Sequence, residues 1–322
     1  MEISLPPLLS HPVVYANIIS FMTISATLAL TKTRVPNFAV ATFGTIGIYI
    51  SFTCIKILGI GLYPSLIFCF LGGGAVGVII YWLLIKPLRR RGATREEMMI
   101  ATLGLDIFLI ALLNIYADFL TRNFKIMARD FTLEVYDFKA GGVDGIFIAS
   151  TSIFFLIFIS LHLIFSKTNI GIAMKAVGEN PSLAECEGID TEKLYVITWF
   201  LVGALPAIGG GFFPVYWIAN PTISYFIIVT VFSGCVLGGF ATIYDAVLGG
   251  YVVTLAQTIL VSYLSDLVGL WILSYSFLVP LLIMIITIFL FPHGIYGLPW
   301  NRMINKIRSV VSGEEYSGGL RW

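Results

Sequence analysis

The chain has 322 residues, 58% of them hydrophobic and only 11% charged, with a mean hydropathy of +0.95. That profile excludes an ordinary soluble domain and indicates an all-α, polytopic membrane protein. A formal net charge of +1 gives no electrostatic case for nucleic acid, so the basic residues are read as topology signals.

Met1 to Pro12 carries no basic n-region and no small-residue cleavage site, so the first apolar run is expected to be a retained span. Apolar segments of about 20 residues, long enough to cross a bilayer, run over 12–31, 38–58, 65–85, 98–117, 146–165, 194–213, 223–240, 247–264 and 271–291. These are nine candidate spans, or eight full ones if Lys32 to Asn37 is a break at mid-depth of the kind tolerated where backbone lines a cavity.

Polar residues inside the spans fall on stripes. Asn17, Ser20, Thr23, Thr27 and Thr31 step by three or four in the first span, and Thr42, Thr45, Tyr49 and Thr53 do so in the second. In the eighth, Thr254, Gln257 or Thr258, and Ser262 follow the same rule. Such faces must turn away from lipid, either to bond neighbouring helices or to line a passage between them; taken together the stripes favour a passage. Asp106, a carboxylate inside the fourth span, is a functional candidate, whereas Lys56 near the end of the second can snorkel to the interface.

Gly72, Gly74 and Gly77 satisfy GxGxxG but follow no strand, which rules against dinucleotide binding. Gly73 with Gly77, and Gly234 with Gly238, read instead as helix-packing GxxxG faces. No Walker A loop, HExxH or GxSxG motif occurs. The cysteines Cys54, Cys69, Cys186 and Cys235 and the histidines His11, His162 and His293 share no ligand spacing, so no metal, cofactor or catalytic centre is indicated.

Basic residues gather in alternate gaps: Lys32 and Arg34; Lys86, Arg89, Arg90, Arg91 and Arg95; Lys167, Lys175 and Lys193; and Arg302, Lys306, Arg308 and Arg321. The positive-inside rule places these gaps, and the tail 292–322, in the cytoplasm. The loop 118–145 mixes both signs and is expected outside. Counting back from 86–97 puts the amino terminus outside as well, or inside if the first break is not a full exit.

The stretch Ser166 to Tyr195 is the longest charged interruption in the carboxy-terminal half. Ile172, Ala176 and Val177, then Leu183, Ala184 and Ile189, recur at helical spacing, while Asn180-Pro181 breaks the pattern and can start a new turn. A short helix, a turn and a second short helix at the membrane surface are expected, serving as a docking knob. There is also an internal echo: Phe38-Ala39 followed by Gly47 and Tyr49 repeats as Phe240-Ala241 followed by Gly249 and Tyr251. Such segments raise the expectation of an internal repeat, but the count of passes puts both on the inner side, whereas an inverted repeat would place them on opposite sides.

Five stretches, from Asn37 to Ile50, Arg89 to Leu109, the loop residues Gly171 to Ile189, Val236 to Val252 and Phe291 to Gly297, resemble the permease subunits of branched-chain amino acid ABC importers, in that family's order. The chain departs in having Val40-Ala41 where the family usually has His-Gly, and Phe291 where it usually has a basic residue. The resemblance implies that Gly171, Ala176, Glu179, Asn180, Pro181, Ala184, Gly188 and Ile189 form a cytoplasmic ATPase-coupling loop. It also implies that the segment opening at Asn37 borders the pathway. Implied partners are ATP-binding subunits, which would bind the ATP, a second similar permease, an extracytoplasmic solute-binding protein, a small-molecule substrate and membrane lipid, in a prokaryotic cell membrane. Within the family, urea or short amides are alternative substrates. From another class, the alternative is a self-contained secondary transporter or channel, supported by Asp106 and Gln257 alone.

Overall fold

The computed structural model describes residues 7–140, 142–291 and 294–297; most of the expected tail 292–322 therefore lies outside the described residues. Among the described residues, nine apolar helices run between the two ends of one bundle. They are α1 (Pro7–Thr33), α2 (Val40–Lys56) and α3 (Leu62–Ile80), the last prolonged through a π-helical turn, Tyr81–Ile85, into the short α4 (Lys86–Arg90). Then come α5 (Arg95–Phe124), α6 (Gly145–Lys167), the short α7 (Asn169–Glu179) and α8 (Pro181–Cys186), α9 (Thr191–Tyr216), α10 (Ser224–Gly238), α11 (Ile243–Val268) and α12 (Leu278–Leu290). All nine expected segments are helical, but among the described residues only six helices are long and apolar enough to span a bilayer unaided. The other three, α2, α10 and α12, have 17, 15 and 13 residues.

Contacts between loops identify the ends. At one, Arg34 meets the last turn of α7, Arg89 bonds the Thr33 carbonyl and Lys86 pairs with Glu192. At the other, Lys56 reaches Tyr136, Tyr63 bonds Asp137, and Phe131 bridges Ala219. Successive helices alternate between these ends, so α1 enters at the second and α12 finishes at the first. Lys32 to Asn37 is not a mid-depth break of one helix. The chain reaches the α7 end at Thr33–Arg34 and then turns back inward, Val35 and Asn37 being buried.

Beyond α5, which runs on past its expected end at residue 117 to Phe124, the described residues of the following loop, 125–140 and 142–144, form short elements rather than a bare connector. It holds a 3-10 turn (Glu134–Tyr136) and a hairpin of β1 (Lys139–Ala140) with β2 (Val143–Asp144). The Leu133 amide donates to the Pro214 carbonyl at 2.8 Å, tying this segment to the end of α9.

Helices α1 and α9 form the centre, with 83% and 78% of their apolar windows buried against 22–39% for the other four long helices. Their placement is crossed: α9 packs on α2 and α3, while α1 packs on α10 and α11. Taken in order, α1, α2, α3 and α9, α10, α11 run in opposite senses, as the halves of an inverted repeat would have to. Small residues permit these approaches. A Cβ on Gly77 would collide with the Trp199 carbonyl, and Gly73 and Gly203 face each other in the same crossing, as expected for GxxxG contacts in lipid. The Ser25 hydroxyl donates to the Val202 carbonyl at 2.7 Å and joins the two central helices.

The echoed Phe-Ala segments do not stand as inverted counterparts of each other. Both precede helices, α2 and α11, that start at the α7 end, whereas inverted counterparts would start at opposite ends. They share a local task instead. Each restarts a helix after a turn, brings a glycine against a neighbouring backbone (Gly47 on Ala207, Gly249 on Gly234), and supplies a tyrosine hydroxyl to another element (Tyr49 to Ala128, Tyr251 to Asn17).

Candidate functional site

The expected pair of short helices between Ser166 and Tyr195 is present as α7 and α8, and each start is capped. Thr168 accepts the Gly171 amide and Asn180 accepts the Leu183 amide, with Pro181 opening α8; these side chains satisfy N–H groups that have no acceptor within the helix. Asp190 likewise caps α9 by accepting the Lys193 amide. Its exposed carboxyl is held below the ordinary carboxylate range by hydrogen bonds from the Lys193 side chain and backbone.

Helix α7 buries Gly171, Met174 and Val177 and lies across the end of α1. Gly178 makes that seat close, since a Cβ there would stand 2.6 Å from the Thr31 carbonyl oxygen. Arg34 fastens it: the guanidinium donates to the Gly178 and Glu179 carbonyls, the exposed acceptors of the last turn of α7. The opposite side is open. Ile172 is 64% and Leu183 60% exposed, alongside Lys175, Glu179 and Glu185. Of the expected loop residues, Gly171 and Ala184 face the bundle, Ala176, Pro181 and Ile189 are half-buried, and Glu179, Asn180 and Gly188 are exposed.

The intramembrane polar residues separate into three groups. Asn17, Ser20, Thr23 and Thr27 of α1 turn toward α6, α10 and α11: Asn17 bonds Ser150 and Thr151, Thr23 donates to the Ala246 carbonyl, Gly250 lies beside Ser20, and Thr27 lies against Cys235. A second group sits where α2 meets α5. Thr42 donates to the Asp106 carboxylate, the Phe38 amide donates to Thr102, and Asn37 accepts the Ala39 amide. Further along α2, Thr45 bonds back to the Ala41 carbonyl and Tyr49 reaches the Ala128 carbonyl. Gln257 belongs to the third group, accepting from Thr230 and lining a cavity of about 390 Å³ with Tyr15, Phe226 and Phe277.

The decisive comparison is that residues 8–288 match the family model for the permease component of branched-chain amino acid transport systems. The chain belongs to that permease family. It is 36% identical over 296 residues, 92% of its length and 94% of the relative's, to a probable branched-chain amino acid transport permease LivH of Methanocaldococcus jannaschii. The high-affinity branched-chain permeases BraD of Pseudomonas aeruginosa and LivH of Salmonella typhimurium are each 26% identical over 82% of this chain and 86% of theirs. No solved structure matches it. It is thus a multi-pass membrane protein of a transport-permease family, not of an enzyme family.

Some residues that organise the permease carried no visible role in the sequence. Arg34 and Arg89 read as topology charges, yet Arg34 clamps α7, while Arg89 bonds the Thr33 carbonyl at 2.7 Å and lies 3.6 Å over the Tyr195 ring. Both interactions use backbone carbonyls, which leave no trace in side-chain spacing. Gly178 was masked for the same reason: its partner is the Thr31 backbone.

Proposed function

We propose that this permease forms the translocation pathway of an ABC importer for branched-chain or related hydrophobic amino acids, driven by separate ATP-binding subunits. The observation that supports this most is the α7–α8 segment: fastened to α1 on its inner side and presenting apolar and charged residues on its outer side, it is built to receive and transmit a push. ATP-driven closure of a docked ATPase pair would move α7 with the end of α1 and bias the bundle between two openings. The clustering of Lys86, Arg89, Arg90, Arg91, Arg95, Lys167, Lys175 and Lys193 at the α7 end supports a cytoplasmic placement of that end and of the carboxy terminus. ATP belongs to the partner subunits; a second similar permease and an extracytoplasmic solute-binding protein complete the proposed assembly.

The test is uptake of labelled leucine, isoleucine, valine and urea into proteoliposomes holding the permease with its ATP-binding subunits and binding protein. Nucleotide-dependent uptake of the branched-chain amino acids supports the reading; uptake of urea in their place would replace the substrate.

A further inference from the structure

Asp106 lies eleven residues beyond Arg95 at the start of the 30-residue α5, about 16 Å along a helix long enough to overhang a hydrocarbon core of about 30 Å, and so within the part that crosses it. It is half-buried and hydrogen-bonded by Thr42 in the first turn of α2. A carboxylate at that depth needs a polar task. The start of α2 is unusual in its own way. Its N-cap, Ala39, provides no side-chain acceptor, and the first-turn N–H groups of a helix have none within the helix. Beside them the Asn37 side chain, 2% exposed, uses its oxygen to accept the Ala39 amide, while its Nδ2 has no hydrogen-bond partner among the described residues. Buried amide donors are rarely left so. The same turn therefore presents spare donors at a positive helix end and, through Thr42, a carboxylate. Next to it, Phe38 stacks on Phe232 with ring centroids 4.6 Å apart, and Phe240 follows at 6.4 Å from Phe232.

We propose that the start of α2, the Asn37 amide and the Asp106 carboxylate form one station that reads an α-amino acid zwitterion in transit. The Asn37 amide and the helix N-terminus take the solute's carboxylate, Asp106 takes its ammonium group, and the Phe38, Phe232 and Phe240 rings take an apolar side chain. Asn37, Ala39 and Val40 are buried in the conformation described, so loading requires the seam between α2 and α10 to open. This assignment rests on the transport reading above and names the groups that recognise the solute.

Equilibrium binding of labelled leucine to the purified permease with its ATP-binding subunits, without the solute-binding protein, tests it. Competitors are leucinamide, which lacks the carboxylate, and 4-methylpentanoate, which lacks the ammonium group. Asn37→Ala is expected to weaken leucine roughly 10- to 100-fold, as for loss of a charge-assisted hydrogen bond, while leaving leucinamide unchanged. Asp106→Asn is expected to weaken leucine to a similar degree and leave 4-methylpentanoate unchanged. Equal loss for leucine and both analogues, or no loss in either variant, overturns the station, as does absence of leucine binding by the unsubstituted complex. Nucleotide-dependent leucine uptake that survives both substitutions would retain the transport reading and remove this site alone.

Discussion

Arg34 is the residue on which the proposed transmission depends most, because its guanidinium joins the chain just past α1 to the last carbonyls of α7. Arg34→Gln should loosen that seat by about 1 kcal/mol, seen as faster amide exchange in α7 and lower solute-stimulated ATP hydrolysis with unchanged membrane insertion. Gly178→Leu should do more, since the Thr31 carbonyl leaves no room for a side chain. Near-complete loss of stimulated hydrolysis is expected, and normal coupling would show that α7 does not transmit. Asp190 gives a pH signature. Its native pKa is lowered by Lys193, so the contribution of its ionised form to the α9 cap is present above the ordinary value of about 3.9 and lost as pH falls through the lowered one. Protection of the Lys193 amide, its exchange rate relative to the intrinsic rate at each pH, should therefore be unchanged by acidification from pH 7 to pH 5; a loss of protection over that interval would contradict the assignment.

At the scale of helices, much was legible and some was not, for physical reasons. Long apolar runs located all nine crossing helices, and Asn180-Pro181 located the restart at α8, because hydropathy and turn chemistry are local properties. Which helices sit at the centre was not legible. In lipid an outward face is at least as apolar as an inward one: α3 exposes Ile67, Phe68, Leu71 and Ile79 and buries Gly73 and Gly77. Inward faces are then marked by small residues rather than hydrophobic ones, a signal that the glycine pairs carried without naming their partners. The echo around Phe38 and Phe240 stayed unresolved in the sequence because similarity of local task resembles similarity of position in a repeat. Gly77→Leu should thus unseat α3 from α9, costing roughly 1–3 kcal/mol or more by overpacking, measurable as a lower denaturation midpoint in detergent. The same change at Gly104 of α5, where nothing stands within 4 Å of a Cβ, should have little effect.

For the whole molecule, crossed packing sets α1 against α10 and α11, α9 against α2 and α3, and the two central helices against each other. On the proposed reading, a push on α7 at the end of α1 would be passed to α9, α10 and α11, and so a docked partner would change the bundle's openings. The α2–α5 seam holding Asn37, Thr42 and Asp106 lies beside α10, where such a displacement would act. The most direct measurement is accumulation of labelled leucine in proteoliposomes containing the permease, its second permease and the solute-binding protein, with and without the ATP-binding subunits and ATP. Accumulation only with hydrolysable ATP and those subunits, abolished by Gly178→Leu, is the predicted result; accumulation in their absence would contradict it.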